Sequence, residues 1–243
     1  MSKLEVKSLD IEKVPVIDIT KLCDGTDPIS VSKELHKAST GLGFIYIKGH
    51  GIPDNVIKSL RDEGLQFFRS NETKKIEVKI SEKHRGWLGY GGAKMQDKAK
   101  SDLKESFLWG CEYEKENLKD NHPLRGINIW PEFQPNLETA AMKYFNYADK
   151  LARNLMRGFA LGLDLESNFF LKTCDNPLSR ASLVYYPNQP SELGDDQYGV
   201  SAHTDFGVLT VLCQDDVGGL QIQDINGDWF HAPPIKDTII VNV

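Results

Sequence analysis

Cysteine is scarce in this chain. Only Cys23, Cys111, Cys174 and Cys213 occur in 243 residues, far apart and without a CxxC pair. Neither a zinc finger nor a disulfide scaffold is indicated. Long apolar runs are also missing, and none approaches the roughly 18 residues that a membrane helix needs. The start, Met1-Ser2-Lys3-Leu4-Glu5-Val6-Lys7, has no apolar core of signal-peptide length. A reduced, cytoplasmic protein with no membrane partner is expected. Basic charge is not in excess: 29 Lys and Arg face 35 Asp and Glu, for a net charge of −6. Such a chain has no electrostatic reason to seek nucleic acid or anionic lipid. The 20 glycines and 11 prolines are dispersed, which excludes collagen-like and low-complexity readings. Internal repeats are absent. What remains is ordinary globular composition, 40% hydrophobic and 26% charged.

The pattern along the chain changes character twice. Val14-Pro15-Val16-Ile17-Asp18-Ile19 reads as a short buried strand, residues 28–40 as a helix stopped at Gly41, and Gly43-Phe44-Ile45-Tyr46-Ile47 as a second strand. Pro53 opens a helix that runs to about Phe68. Residues 71–104 carry nine Lys and Arg against five Asp and Glu, with Gly86, Gly89, Gly91 and Gly92 among them. Their mixed, interrupted charges predict a solvated loop. Residues 132–164 read as one long helix. From about residue 180, short β-rich runs alternate with turn signals, Asn226-Gly227 being a hairpin signal between two of them. Many short strands at close spacing suggest a sandwich or jelly roll.

The residues most suggestive of chemistry are Ser201-Ala202-His203-Thr204-Asp205-Phe206-Gly207. On a strand, His203 and Asp205 would point to one face. An imidazole and a carboxylate form an N/O pair suited to Fe(II), Mn(II) or Zn(II), and one further imidazole would complete a 2-His-1-carboxylate triad. A structural His–Asp pair explains the same two residues. A hydrolase triad of Ser201, His203 and Asp205 is disfavoured, because three residues in a row on one strand lie too far apart for the serine to reach the histidine, and no GxSxG elbow is present.

Further blocks accompany that pair: Val14-Pro15-Val16-Ile17-Asp18, Gly43-Phe44-Ile45-Tyr46-Ile47 with His50-Gly51-Ile52, Phe67-Phe68, Arg85-Gly86-Trp87, Lys104-Glu105-Ser106-Phe107 and Asn128-Ile129-Trp130-Pro131. Tyr185-Tyr186-Pro187, Leu209-Thr210-Val211-Leu212, Gly219-Leu220-Gln221, Trp229 and Pro233-Pro234 continue the series. In this order and spacing the chain resembles the isopenicillin N synthase-like Fe(II)/2-oxoglutarate-dependent dioxygenases, the iron/ascorbate-dependent oxidoreductases. The resemblance implies an α+β fold: a distorted double-stranded β-helix (jelly roll), a mixed α/β N-terminal region and a long packing helix. It divides the chain into an N-terminal region 1–130, a connecting helix 131–177 and a partial jelly-roll domain 178–243. It implies Fe(II), 2-oxoglutarate and ascorbate as cofactors, a small organic molecule as substrate, and oxidation or hydroxylation as the reaction. His203 and Asp205 match the first two iron ligands. Tyr186 matches a position that binds the far carboxylate of 2-oxoglutarate in many members, although by itself it reads as a sheet-rim tyrosine. Phe206 and the 85–110 segment are expected to line the substrate pocket.

One departure sets a further expectation. In the family, a strand like Ile239-Ile240-Val241-Asn242-Val243 runs on to a third ligand His and an Arg-x-Ser pair. None of the 38 residues after Asp205 matches these, and His231 has no spacing that marks it as a ligand. The expectation is a C-terminally truncated member with an incomplete jelly roll, inactive as the 243-residue chain. A non-catalytic remnant or binding domain on the same fold is the alternative. Residues 238–243 should then form a strand exposed along one edge.

Overall fold

The computed structural model describes residues 14–93, 101–113, 122–189 and 198–243. In chain order the elements are β1 (Val16–Asp18), α1 (Thr20–Asp24), α2 (Pro28–Ser39), β2 (Phe44–Lys48), α3 (Asp54–Phe68), α4 (Glu72–Ile76), β3 (Gly86–Leu88) and β4 (Glu105–Gly110). The helix α5 (Asn136–Gly162) follows, then β5 (Arg180–Tyr185), β6 (Thr210–Leu212), β7 (Gln221–Gln223), β8 (Trp229–His231) and β9 (Ile239–Asn242). They belong to two compact units: residues through Gly51 with Ala148–Asp175 and Asp205–Val243, and Ile52–Tyr147 with Asn176–Thr204. No helix among the described residues is long and apolar enough to cross a membrane.

The first unit is built on a four-stranded sheet of order β1-β2-β9-β6. β1 and β2 run parallel, so the chain must cross over between them, and α1 and α2 make that crossing. Pro28 starts α2 with its fixed φ, and the Asp27 side chain accepts from Ser30 N at 3.2 Å and so caps the helix start. The C-terminal part of α5 lies very close to α1 and α2. A Cβ at Gly158 would stand 2.8 Å from side-chain carbons of Leu22 and Leu35, and one at Gly162 would stand 2.6 Å from the Ser32 carbonyl oxygen. At Gly162, where the obstacle is backbone, only glycine permits that approach. β7 and β8 form the hairpin signalled by Asn226-Gly227, with Gly227 at φ +85° and the Asp224 carboxylate accepting from Asn226 N and Asp228 N.

The strand expected to lie along an edge does not. β9 is antiparallel to β2 on one side and to β6 on the other. Ile239, Ile240 and Val241 are 0%, 2% and 0% exposed. β2 comes from the start of the chain, about 195 residues away, and local pattern cannot disclose so distant a partner. A core of Val14, Tyr46, Ile222, Phe230, Ala232 and Ile240 packs in this unit, and the Tyr46 hydroxyl donates to the Pro233 carbonyl at 2.6 Å.

The second unit centres on the antiparallel sheet β3-β4-β5, with β4 in the middle. Its core is aromatic. Phe67 meets Phe107 edge-on at 5.0 Å, Phe68 stacks on Tyr185 at 5.2 Å, and Phe107 stacks on Trp130 at 5.6 Å. Part of the charged stretch 71–104 corrects its sequence reading. Residues 94–100 lie outside the described residues, but the remainder holds α4 and β3 and buries Lys75, Arg85, Asp102 and Lys104. The reason is pairing. Lys75 Nζ lies 2.7 Å from Glu105 Oε2, donates to the Phe68 carbonyl at 3.1 Å, and stands 5.0 Å from the Trp87 ring centre. Trp87 Nε1 donates to the same Glu105 oxygen at 2.7 Å. A charge count does not reveal which charges find buried partners.

Removing one half of this pair leaves the other charge buried alone. Lys75→Met is expected to destabilise the protein by about 3–5 kcal/mol, and Lys75→Met with Glu105→Gln to recover most of that loss. Urea unfolding of the two variants beside the parent chain measures both; equal losses would show that the pair is not energetically coupled.

Candidate metal centre

His203 lies on an exposed, irregular segment rather than on a strand. No regular structure is assigned over 201–205, and β6 begins only at Thr210. The backbone groups of Ser201 that a ladder would use are otherwise engaged. Ser201 N and Ser201 Oγ both donate to Asp102 Oδ1, at 2.9 and 3.0 Å. The Ser201 carbonyl lies 2.8 Å from His203 Nδ1. A carbonyl can only accept, so Nδ1 carries the proton and Nε2 carries the lone pair of the neutral ring. The serine hydroxyl is thus turned to Asp102 and not to the imidazole, which removes the hydrolase reading. Asp102 is fully buried, and its Oδ2 stands 3.2 Å from Lys104 Nζ as an ion pair outside hydrogen-bond geometry.

Asp205 is exposed, and its Oδ2 accepts from Asn242 Nδ2 at 3.1 Å. Asn242 ends β9, in register with Phe44 on one side and Thr210 on the other, so the sheet itself holds the donor. The same-face argument for His203 and Asp205 lapses without a strand. Covalent geometry still keeps Cα atoms two residues apart within about 7 Å. Among the described residues, no group of three or more His, Cys, Asp or Glu gathers where it could hold a metal. His231 is an exposed residue of β8, paired with Gln221.

Tyr186 follows directly on β5 and is 51% exposed. Its phenol is pushed above the usual tyrosine range, first by desolvation and second by the Asp102 carboxylate. Because half of the residue meets solvent, screening trims both effects. Gly199 lies against the ring: a Cβ there would fall 2.9 Å from Tyr186 Cδ1.

Comparison with known proteins identifies the family. Residues 14–133 match the model of the non-haem dioxygenase in morphine synthesis N-terminal region, and residues 179–243 match that of the 2OG-Fe(II) oxygenase superfamily. A Dictyostelium discoideum protein named as an iron/ascorbate oxidoreductase is 33% identical over 98% of this chain and 73% of its own length. The chain belongs to the 2OG-Fe(II) oxygenase superfamily. A homoarginine-6-hydroxylase of Glycine max is 32% identical over 96% of this chain and 76% of its own. Among solved structures, a Neurospora crassa protein is 29% identical. Its complex with alpha-KG superposes at a TM-score of 0.82 over 100% of this chain and 76% of that one. Its complex with alpha-KG and thymine superposes at 0.80 over 98% and 76%. The chain therefore spans about three quarters of these relatives.

Membership in the 2OG-Fe(II) oxygenases establishes the jelly-roll fold that the strand spacing suggested, together with iron and 2-oxoglutarate as the cofactors of the family. The donor chemistry of this chain fits such a metal: an imidazole held in the tautomer that presents Nε2, and a carboxylate oriented by an amide, two residues away. Two residues escaped the sequence reading, Asp102 and Asn242. Asp102 sits in the stretch assigned to solvent. Asn242 carried a faint signal, as the one polar residue in an otherwise apolar strand.

Asp102→Asn removes a negative charge near Tyr186, so its phenol is expected to titrate at lower pH. Ultraviolet titration, taken as the difference from Tyr186→Phe, reads this directly; an unmoved midpoint would show that Asp102 does not act on the phenol. The raised value also means that the group's stabilising contribution is complete below about pH 10 and fades as pH climbs through the folded value.

Proposed function

We propose that this chain is an iron- and 2-oxoglutarate-dependent oxidoreductase that hydroxylates or otherwise oxidises a small organic molecule. His203 and Asp205 are its iron ligands, and Tyr186 contacts the cosubstrate. The observation that carries the reading is the His203 ring, whose Nδ1–H is taken by the Ser201 carbonyl so that Nε2 is presented as donor. Iron bound there supplies the O₂-dependent oxidising chemistry, with 2-oxoglutarate as co-reductant. The residues of the chain do the holding. Asn242 orients the Asp205 carboxylate by donating to one of its oxygens. Tyr186, its phenol shifted upward, keeps its proton near neutral pH and offers an O–H to a cosubstrate carboxylate. The net charge of −6 supports a small-molecule partner over nucleic acid or membrane. The division into 1–130, 131–177 and 178–243 is part of the same reading, supported by the model matches over 14–133 and 179–243.

A second reading, a non-catalytic binding domain, is favoured by the donor count. Among the described residues, His203 and Asp205 supply two of the three ligands of a facial triad, and both are exposed. We infer that a polypeptide of residues 1–243 by itself holds Fe(II) weakly and does not consume 2-oxoglutarate.

Anaerobic Fe(II) titration of that polypeptide, followed by succinate measurement in air, tests both readings. Weak binding that is lost in His203→Ala and Asp205→Ala, with no succinate, is the expected result. Stoichiometric iron and steady succinate formation would overturn the inactivity of this polypeptide and leave the enzyme reading standing. Iron binding unchanged in both variants would overturn the ligand assignment.

A further inference from the structure

We propose that Asp102 is the positioning residue for His203, acting through the main chain of Ser201. The proposal rests on the reading of His203 as a metal ligand. One oxygen of a fully buried carboxylate takes both donors of Ser201, the backbone N–H at 2.9 Å and the hydroxyl at 3.0 Å. Two bonds to one residue fix its orientation, where a single bond would leave it free to turn. With Ser201 fixed, its carbonyl is aimed, and that carbonyl holds His203 Nδ1 at 2.8 Å. The imidazole is thereby set in rotation and in tautomer, although the residue itself is exposed.

The clamp is itself anchored. Asp102 N donates to the Ala93 carbonyl at 2.9 Å, and Leu103 N donates to the Tyr198 carbonyl at 3.1 Å. Three residues after Asp102 the chain enters β4, the middle strand of its sheet. Lys104 Nζ, 3.2 Å from the other carboxylate oxygen, offsets the charge and so permits burial. A rigid strand thus reaches the imidazole in two links: carboxylate to serine, and serine carbonyl to ring. Outer partners of ligating histidines ordinarily hold the ring nitrogen directly. Here the side chain that decides the geometry stands one residue further back.

A purely structural Asp102 would cost stability when replaced and leave the folded imidazole unchanged. The ring separates the two roles. In 15N-labelled protein of residues 1–243, the ring nitrogens of His203 are assigned by their loss in His203→Ala. The parent chain is expected to show a protonated Nδ1 and a bare Nε2. Asp102→Asn is expected to shift both nitrogens toward averaged values, as the two tautomers exchange, and to weaken Co(II) binding by about 10–100-fold. It should cause no further weakening in a His203→Ala background. Ser201→Ala, which removes only the hydroxyl link, should move both readouts in the same direction and less far. If Asp102→Asn does not fold, Asp102→Asn with Lys104→Met removes the stranded cation, and Ser201→Ala carries the test without it. A folded Asp102→Asn with the parent tautomer and the parent Co(II) affinity overturns the proposal. Co(II) binding indifferent to His203→Ala overturns instead the ligand reading, and the tautomer comparison still decides the positioning role.

Discussion

A charge cannot enter a protein interior without a partner, and the entry to β4 buries three charges within four residues, Asp102, Lys104 and Glu105. Their partners are therefore fixed in place. Glu105 draws in Lys75 of α4 and Trp87 of β3. Asp102 draws in Lys104 and Ser201. Much of the second unit is arranged by this requirement: where α4 lies, how β3 meets β4, and where the arm carrying His203 is tethered. The aromatic cluster of Phe67, Phe107 and Trp130 packs together in this core, yet apolar contact is not directional and would tolerate several arrangements. The paired charges select one of them.

The first unit depends on a different constraint, the placement of β9 between two partners. An apolar strand flanked on both sides finds ladder partners along both edges and hides its side chains on both faces. Its last residue then stands at a fixed point of the sheet, and Asn242 occupies that point. The donor to Asp205 is thus as firm as the sheet behind it. Two potential ligands two residues apart in sequence are each held from behind, one through a buried carboxylate and the other through a strand.

Elements whose signals are local were legible in the sequence. The helix 28–40, the helix after Pro53, the long helix 132–164, the Asn226-Gly227 hairpin and the short C-terminal strands all carry their period or turn chemistry within a few residues, and all are present within a residue or four. Two failures share one cause. The charged stretch 71–104 looked solvated because its partners, such as Glu105 and Ser201, lie outside it. β9 looked like an edge because β2 lies near the other end of the chain. Sequence patterns report the face a segment turns to its core, not the identity of what it meets. The same-face reading of His203 and Asp205, which supposes a strand there, fails for a related reason. A side chain from residue 102 took up the backbone donor of Ser201, a competition that no local propensity encodes.

The site shows the same division. His203, Asp205 and Tyr186 could be singled out because chemistry restricts which residue types can serve as ligand or carboxylate donor. Asp102 and Asn242 could not, because an outer partner can be any group that donates or accepts at the right place. An exposed imidazole makes the point physically. In solution its neutral ring exchanges between two tautomers, only one of which presents Nε2, so a ring left to itself would bind metal for part of the time and pay orientational entropy on each occasion. Holding Nδ1 on a fixed carbonyl removes both losses before any metal arrives. The carbonyl is fixed only because the serine carrying it is held twice by a buried charge. The presented imidazole is therefore a property of the assembly from β4 to His203, and the His-x-Asp spacing is its outermost part.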